Sequence, residues 1–339
     1  MGKGSPTPED QYWFNEADIG RLYVCDKYKC TLSPELKKVA KAELREDDYT
    51  REQALEQVRH WIKKTDYIRD CRLDSNFLLR FLRQQKFSVP LAQETLLKYI
   101  VMRQQNPHWF HGTGMQDPMV LDLINRGVAF ALPKRDKFGR RVLFTVGGGI
   151  DPNRHTAEGV MKAIMVAFES CLEDEENQVR GFSYILDEGG ITLNHLSLWN
   201  PNEMNKIWGV CERAMPMRHK RLDFVNLPTI ATYVYEFAKG LMTQKLRNRI
   251  TLHKDVNALT QIVDQKILPK EYGGDTELLE MIEMYKEEIR HRQPRLLALD
   301  RMRVDLEMWK KTTNASSYTP SLSKDILGMT GSFKRLEID

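Results

Sequence analysis

Apolar residues recur at helical spacing from Ser33 to about residue 105. The stretch "SPELKKVAKAEL" opens with a capping serine and a proline at the first helical position. In "TREQALEQVRHWIKK", Leu55, Val58 and Ile62 share one face. "DSNFLLRFLRQQKF" places Phe77, Leu78, Phe81 and Leu82 inward and Arg80 and Arg83 outward. "SVPLAQETLLKYIVMRQQ", headed by Ser88, adds another helix. Together these predict a small helical domain.

After about residue 110 the period shortens. β-rich runs appear at "RVLFTV" (141–146), "GFSYILD" (181–187) and "KRLDFVN" (220–226), with a weaker one, "RITLH", from Arg249. Each gap is long enough for a crossover helix. "AEGVMKAIMVAFESCL", "NPNEMNKIWGVCERAM" and "YVYEFAKGLMTQKLRNRI" fill the three gaps in turn. Strands alternating with helices predict an α/β fold with a largely parallel sheet. "ILPKEYGG" is a stop marked by proline and glycine, and "TELLEMIEMYKEEIRHR" is one more amphipathic helix. Beyond Pro294 the text turns Ser/Thr-rich and is expected to be loosely held.

Charge narrows the function classes. Of 339 residues, 51 are basic and 47 acidic, a surplus of only +4. So small a surplus gives no reason to expect a nucleic-acid partner, and any positive site must come from local clustering. The five scattered cysteines fit reduced thiols in a cytoplasmic setting better than a disulfide framework. "MGKGSPTPED" lacks the apolar core of a signal peptide, and Pro6 stands where a myristoylation start wants Ser or Thr. No apolar run is long enough to span a bilayer, so membrane contact is expected to be peripheral.

Several catalytic patterns fail. "GGGIDP" after the first strand supplies Gly147 and Gly149, but Pro152 replaces the third glycine of a dinucleotide turn, so a bulged strand exit is expected. There is no P-loop and no nucleophile elbow. His108 and His111 lack partners at metal spacing and are expected to pack with Trp109. "EDEENQ" (173–178) reads as a solvated turn. Asp187 and Glu188 end a strand and are read as capping or turn residues. No catalytic residue, metal or cofactor is expected.

Two features remain. The crossover helices are rich in flexible apolar residues: Met161, Ile164, Met165 and Phe168 in one, and Met204, Ile207, Trp208, Val210, Cys211 and Met215 in another. They form either an ordinary core or an adaptable ligand lining. Basic residues also cluster twice, at Arg218–Arg221 and at Lys245, Arg247 and Arg249. Read as one helix, "YVYEFAKGLMTQKLRNRI" carries Val234, Ala238, Met242, Lys245 and Arg249 on a single stripe that turns from apolar to cationic.

"DSNFLLRFLRQQKF", "FGRRVLFTV", "GFSYILDEGG" and "ILPKEYGG", in this order, resemble the CRAL-TRIO family from about residue 50 to 275. The resemblance implies an N-terminal helical domain followed by a lipid-binding α/β cage closed by a mobile gate helix, which falls on the stretch from Tyr233. The expected organisation is an extension over 1–30, the helical domain over 31–110, the lipid-binding domain over 111–275, C-terminal helices over 276–311 and a flexible tail over 312–339. Matched to the tocopherol-carrying member, the pocket falls on Met161, Ile164, Phe168, Phe182, Leu186, Trp199, Ile207, Val210, Cys211, Met215, Met217 and Leu222. Ala238 and Met242 of the gate complete it. Ile164 and Phe168 stand where that member has serines, which favours a bulkier, mostly hydrocarbon guest.

The family's phosphoinositide-gripping residues fall on Arg218, Lys220, Lys245 and Arg249, and a further arginine falls on Gln85. The resemblance thus implies a non-enzymatic cytoplasmic carrier of a retinoid, carotenoid, tocopherol or similar lipid. It would associate reversibly with endosomal or other phosphoinositide-bearing membranes. The alternatives are a phosphoinositide-sensing adaptor, and an enzyme using Tyr184, Glu188 and His195, which form no recognised catalytic set.

Overall fold

A computed structural model describes residues 16–112, 114–199, 201–260 and 263–312, with backbone only at 16, 201–203 and 213. The tail expected from residue 312 lies outside these residues apart from Thr312, as do the first fifteen residues.

The helical segments form as their caps dictate. Ser33 Oγ accepts from Leu36 N at 3.2 Å and starts helix Pro34–Leu44. Asp74 does the same for Phe77 N at 3.1 Å, starting helix Ser75–Gln84. Helices Asp48–Lys64 and Val89–Gln105 pack with Ser75–Gln84, while Pro34–Leu44 buries Leu36, Ala40 and Leu44 against Val179. A short ladder, β1 (Ile68–Asp70), pairs antiparallel with a strand near the far end of the chain, Arg303–Val304.

The larger sheet holds five strands: β2 (Phe130–Ala131), β3 (Arg141–Val146), β4 (Phe182–Asp187), β5 (His219–Val225) and β6 (Ile250–His253), in that spatial order. β3 to β6 are parallel, as the alternation with helices predicts, and β2 adds an antiparallel edge too short to leave a sequence signal. Gly181, at φ +85°, turns the chain from helix Glu175–Arg180 into β4. The glycines after β3 form a 3-10 turn, Gly147–Gly149, consistent with a bulged exit. His108 and Trp109 meet edge to face, with centroids 5.1 Å apart.

Three expectations are corrected. Arg80 and Arg83 do not face outward, and both are fully buried. "EDEENQ" is not a solvated turn: Glu173 is buried, and Glu175–Arg180 is a helix. One structure explains both. Helix Ala157–Leu172 carries Glu169, and Glu173 follows it, into a nest of arginines from the N-terminal helices. Glu173 takes hydrogen bonds from Arg72 (2.7 Å) and Arg80 (2.6 Å), and Glu169 takes them from Arg80 (3.0 Å), Arg103 (2.9 Å) and the Tyr99 hydroxyl (2.5 Å). Arg83 meets Glu46 and Gln178 at 2.8–2.9 Å. The guanidinium groups are buried because carboxylates distant in the sequence reach them, Glu169, Glu173 and Glu175 from the cage region and Glu46 from the N-terminal part, which no local period reveals.

The third correction lies beyond Pro294. Helix Leu278–Ala298 continues through that proline, and Arg303–Val304 and helix Leu306–Thr312 dock on the N-terminal part. Tyr23, within the expected extension, likewise reaches back to Ala298 O at 2.5 Å.

Candidate functional site

β4 and β5 present alternate residues to one side of the sheet, and helix Ala157–Leu172 and the segment after Leu193 stand over them. Between lies a cavity of about 330 Å³, within the ~300–1,000 Å³ range of ligand pockets. Its far wall is the stretch from Ala231 to Leu246.

Ten of the fourteen expected pocket residues stand in this wall: Met161, Ile164, Phe168, Leu186, Trp199, Ile207, Cys211, Leu222, Ala238 and Met242. Phe182, Val210, Met215 and Met217 do not. Phe182 shares the face of Tyr184 and Leu186 but sits at the start of β4, fully buried beyond the cavity's end. Helix Pro201–Gly209 passes into a wider π turn, Val210–Ala214. Val210 in this turn, Met215 just after it and Met217 on the approach to β5 are all buried in the packed core. Sequence reasoning missed Leu143 and Thr145 of β3, Tyr235 and Leu246. The alternation of "RVLFTV" was the signal for the first two.

The gate stretch is two helices, Thr232–Leu241 and Gln244–Arg247, and not one. Thr243 breaks it by capping the second helix, its hydroxyl accepting from Leu246 N at 3.3 Å. Glu212, on the π turn, accepts from Thr243 N at 3.1 Å and from its hydroxyl. The apolar part of the stripe, with Ala238 and Met242 buried, faces the cavity. Lys245 is exposed and Arg249 half-buried.

The cationic residues gather at one edge. Arg218 and Lys220 both donate to one oxygen of Glu43, on helix Pro34–Leu44, at 2.6 and 2.8 Å. Arg249 donates to His219 O. Burial, and then the charges of Arg218 and Arg140, lower the Lys220 ammonium pKa, and Arg249 is lowered by burial and Arg140. Arg140, which the sequence reading did not assign, therefore belongs to this cluster. Gln85, aligned with a basic position, instead donates to Thr95 Oγ1 at 2.8 Å.

Polar groups in the cavity wall are few. The Tyr184 hydroxyl donates to His219 Nδ1 at 2.6 Å, and His219 Nε2 donates to Cys211 O at 2.9 Å. Burial lowers the His219 pKa and keeps the ring neutral, which fixes these roles. Among the described residues no group of three or more His, Cys, Asp or Glu side chains is arranged to hold a metal, and no helix is long and apolar enough to cross a membrane.

The CRAL/TRIO domain model matches residues 125–274, and the Pinta-like, UBA domain model matches residues 47–120. Mouse clavesin-2 is 33% identical over 244 residues, 72% of this chain and 75% of that protein. Mouse clavesin-1 is 31% identical over 278 residues, 81% of this chain and 77% of that protein. The crystal structure of Sfh5 aligns at TM-score 0.48 and 14% identity, over 73% of this chain and 98% of the other. With its helical N-terminal part, its parallel sheet and its match to clavesins along most of their length, the chain belongs to the CRAL/TRIO family.

Proposed function

We propose that this protein is a carrier that holds a hydrophobic lipid in its cage and delivers it at phosphoinositide-containing membranes. The observation that carries this reading is an apolar cavity of about 330 Å³ whose closing segment runs into a cationic edge. A guest of about 20 carbons gains on the order of 16 kcal/mol at ~0.8 kcal/mol per buried CH₂. Ordering and desolvation reduce that figure, yet escape through water stays too slow to be useful. The cage therefore opens at a membrane. Arg218, Lys220, Lys245 and Arg249 meet lipid phosphates there, while Ile230 and Tyr233, exposed on the outer side of the gate, meet the interface. Retinoid, carotenoid and tocopherol-like molecules all suit the cavity's chemistry.

Native mass spectrometry of the freshly purified protein tests this reading. A bound apolar mass, lost on extraction with organic solvent, is the expected result. Protein that carries no lipid but binds phosphoinositide head groups would replace the carrier with the adaptor reading.

The gate supplies a second prediction. A methyl at Gly240 would meet nothing within 4 Å, and the residue lies inside helix Thr232–Leu241. Gly240→Ala is expected to stabilise this helix by about 0.5–1 kcal/mol. It should slow lipid transfer between vesicles a few-fold without weakening loading, as read by a fluorescence transfer assay. An unchanged transfer rate would remove this helix from the opening step.

A further inference from the structure

Two carboxyls stand side by side where β4 ends, and the protein treats them oppositely. Asp187 accepts from Gly189 N (2.9 Å), Asn226 Nδ2 (2.9 Å) and the Tyr272 hydroxyl (2.5 Å). Glu188 continues the strand, its N–H donating to Val225 O at 3.0 Å. Alternation then puts Tyr184, Leu186 and Glu188 on one face, and all three are walls of the cavity. No hydrogen bond or ion pair reaches the Glu188 carboxyl from the described residues. Enclosure by protein, and then the Asp187 charge, push that carboxyl up to about 7. Gly147 leaves it room, since a methyl there would come within 2.9 Å of Glu188 Oε2.

Glu188 is half-buried, and a carboxyl without a protein partner against this apolar wall is unfavourable, whereas a leucine would simply extend the wall of Leu186. We propose that Glu188 is the polar recognition point of the cavity, and that the guest is an apolar molecule ending in a hydroxyl group that hydrogen-bonds to this carboxyl. A carboxylate accepts from a hydroxyl, and a carboxylic acid both accepts and donates. An ammonium-ended guest would bring a second charge to desolvate, and an acid-ended one would meet the Asp187 charge. Three other polar walls are already engaged: Tyr184 with His219, His195 Nε2 with Ile150 O at 2.9 Å, and Glu212 with Thr243, which leaves the Thr145 hydroxyl as a lesser polar group beside the Glu188 carboxyl.

This inference rests on the carrier reading, and its test separates the two. The full-length protein, stripped of co-purified lipid, is titrated with all-trans-retinol and with retinyl acetate, which share a polyene and differ in the donating end group. Wild type is expected to bind retinol at least about tenfold more tightly, the usual effect of one hydrogen bond to an ionisable group. Glu188→Leu should shrink that ratio to within about threefold while retaining retinyl acetate binding. Glu188→Gln, which keeps a donor and an acceptor, should retain most of it. Glu188→Leu should also melt no lower than wild type, because it removes an unpartnered carboxyl from an apolar wall. A preference that survives Glu188→Leu, or equal binding of both compounds by wild type, overturns the assignment and leaves the carrier intact. Folded wild type that takes up neither compound overturns both.

Discussion

Replacing Glu173 by alanine is expected to cost about 3–5 kcal/mol of folding stability, read as a fall in the urea midpoint at unchanged slope. The carboxylate is buried and takes hydrogen bonds from Arg72, Arg80, Arg295 (3.1 Å) and Asn76 (3.2 Å). Its loss leaves buried guanidinium groups short of a counter-ion. Arg72 keeps Asp74 at 2.9 Å and Arg80 keeps Glu169 at 3.0 Å, which sets the loss nearer the lower figure. Glu307→Ala, which removes only the exposed pair with Lys310, should change stability by less than about 0.5 kcal/mol.

The same carboxylate predicts a pH dependence. Burial opposes its charge, but the guanidinium groups of Arg72 and Arg80 outweigh that and hold its pKa far below the usual carboxylate range. A depressed folded-state pKa means the contribution is complete above the unfolded-state value of ~4.3 and is lost as pH falls toward the folded one. Wild type should therefore lose stability below about pH 4.5, and Glu173→Ala should lose less over that interval. Parallel pH profiles for the two proteins would show that the nest is not what acid disrupts.

Reversing Lys245 and Arg249 to glutamate should weaken binding to phosphoinositide vesicles by about a thousandfold at low salt. The change is four charge units beside the gate, at ~1 kcal/mol per unit near an anionic leaflet, and each ~1.4 kcal/mol is tenfold. Lipid loading, measured by native mass spectrometry, should be unaffected, and raising the salt should narrow the difference. Glu43→Gln should act in the opposite direction. Glu43 holds Arg218 and Lys220 through one oxygen, so its neutralisation frees two cations and should tighten vesicle binding about five- to tenfold. Vesicle binding indifferent to both changes would remove this edge from the docking surface.

The long helices and the four parallel strands were legible between residues 33 and 290 because each carries its own period, whereas the short elements β1, β2 and helix Glu175–Arg180 were not. "RVLFTV", "GFSYILD" and "KRLDFVN" lie within a residue of β3, β4 and β5. Met161, Ile164 and Phe168 of helix Ala157–Leu172 all line the cavity, since a regular helix keeps such positions on one face. Other placements failed. Val210 and Met215, in and just after the π turn Val210–Ala214, lie in the packed core and not in the wall, and Thr243 splits the gate.

Local pattern thus settles which segments are helix or strand, which faces are apolar and where cations concentrate, because these depend on neighbours along the chain. It could not place Arg80 and Arg83 inside, pair Arg218 and Lys220 with Glu43, or leave Glu188 alone while Asp187 took three donors. Those outcomes depend on groups that distant segments bring within hydrogen-bonding reach. The environment of a charge is a property of the folded chain, and no periodicity encodes it.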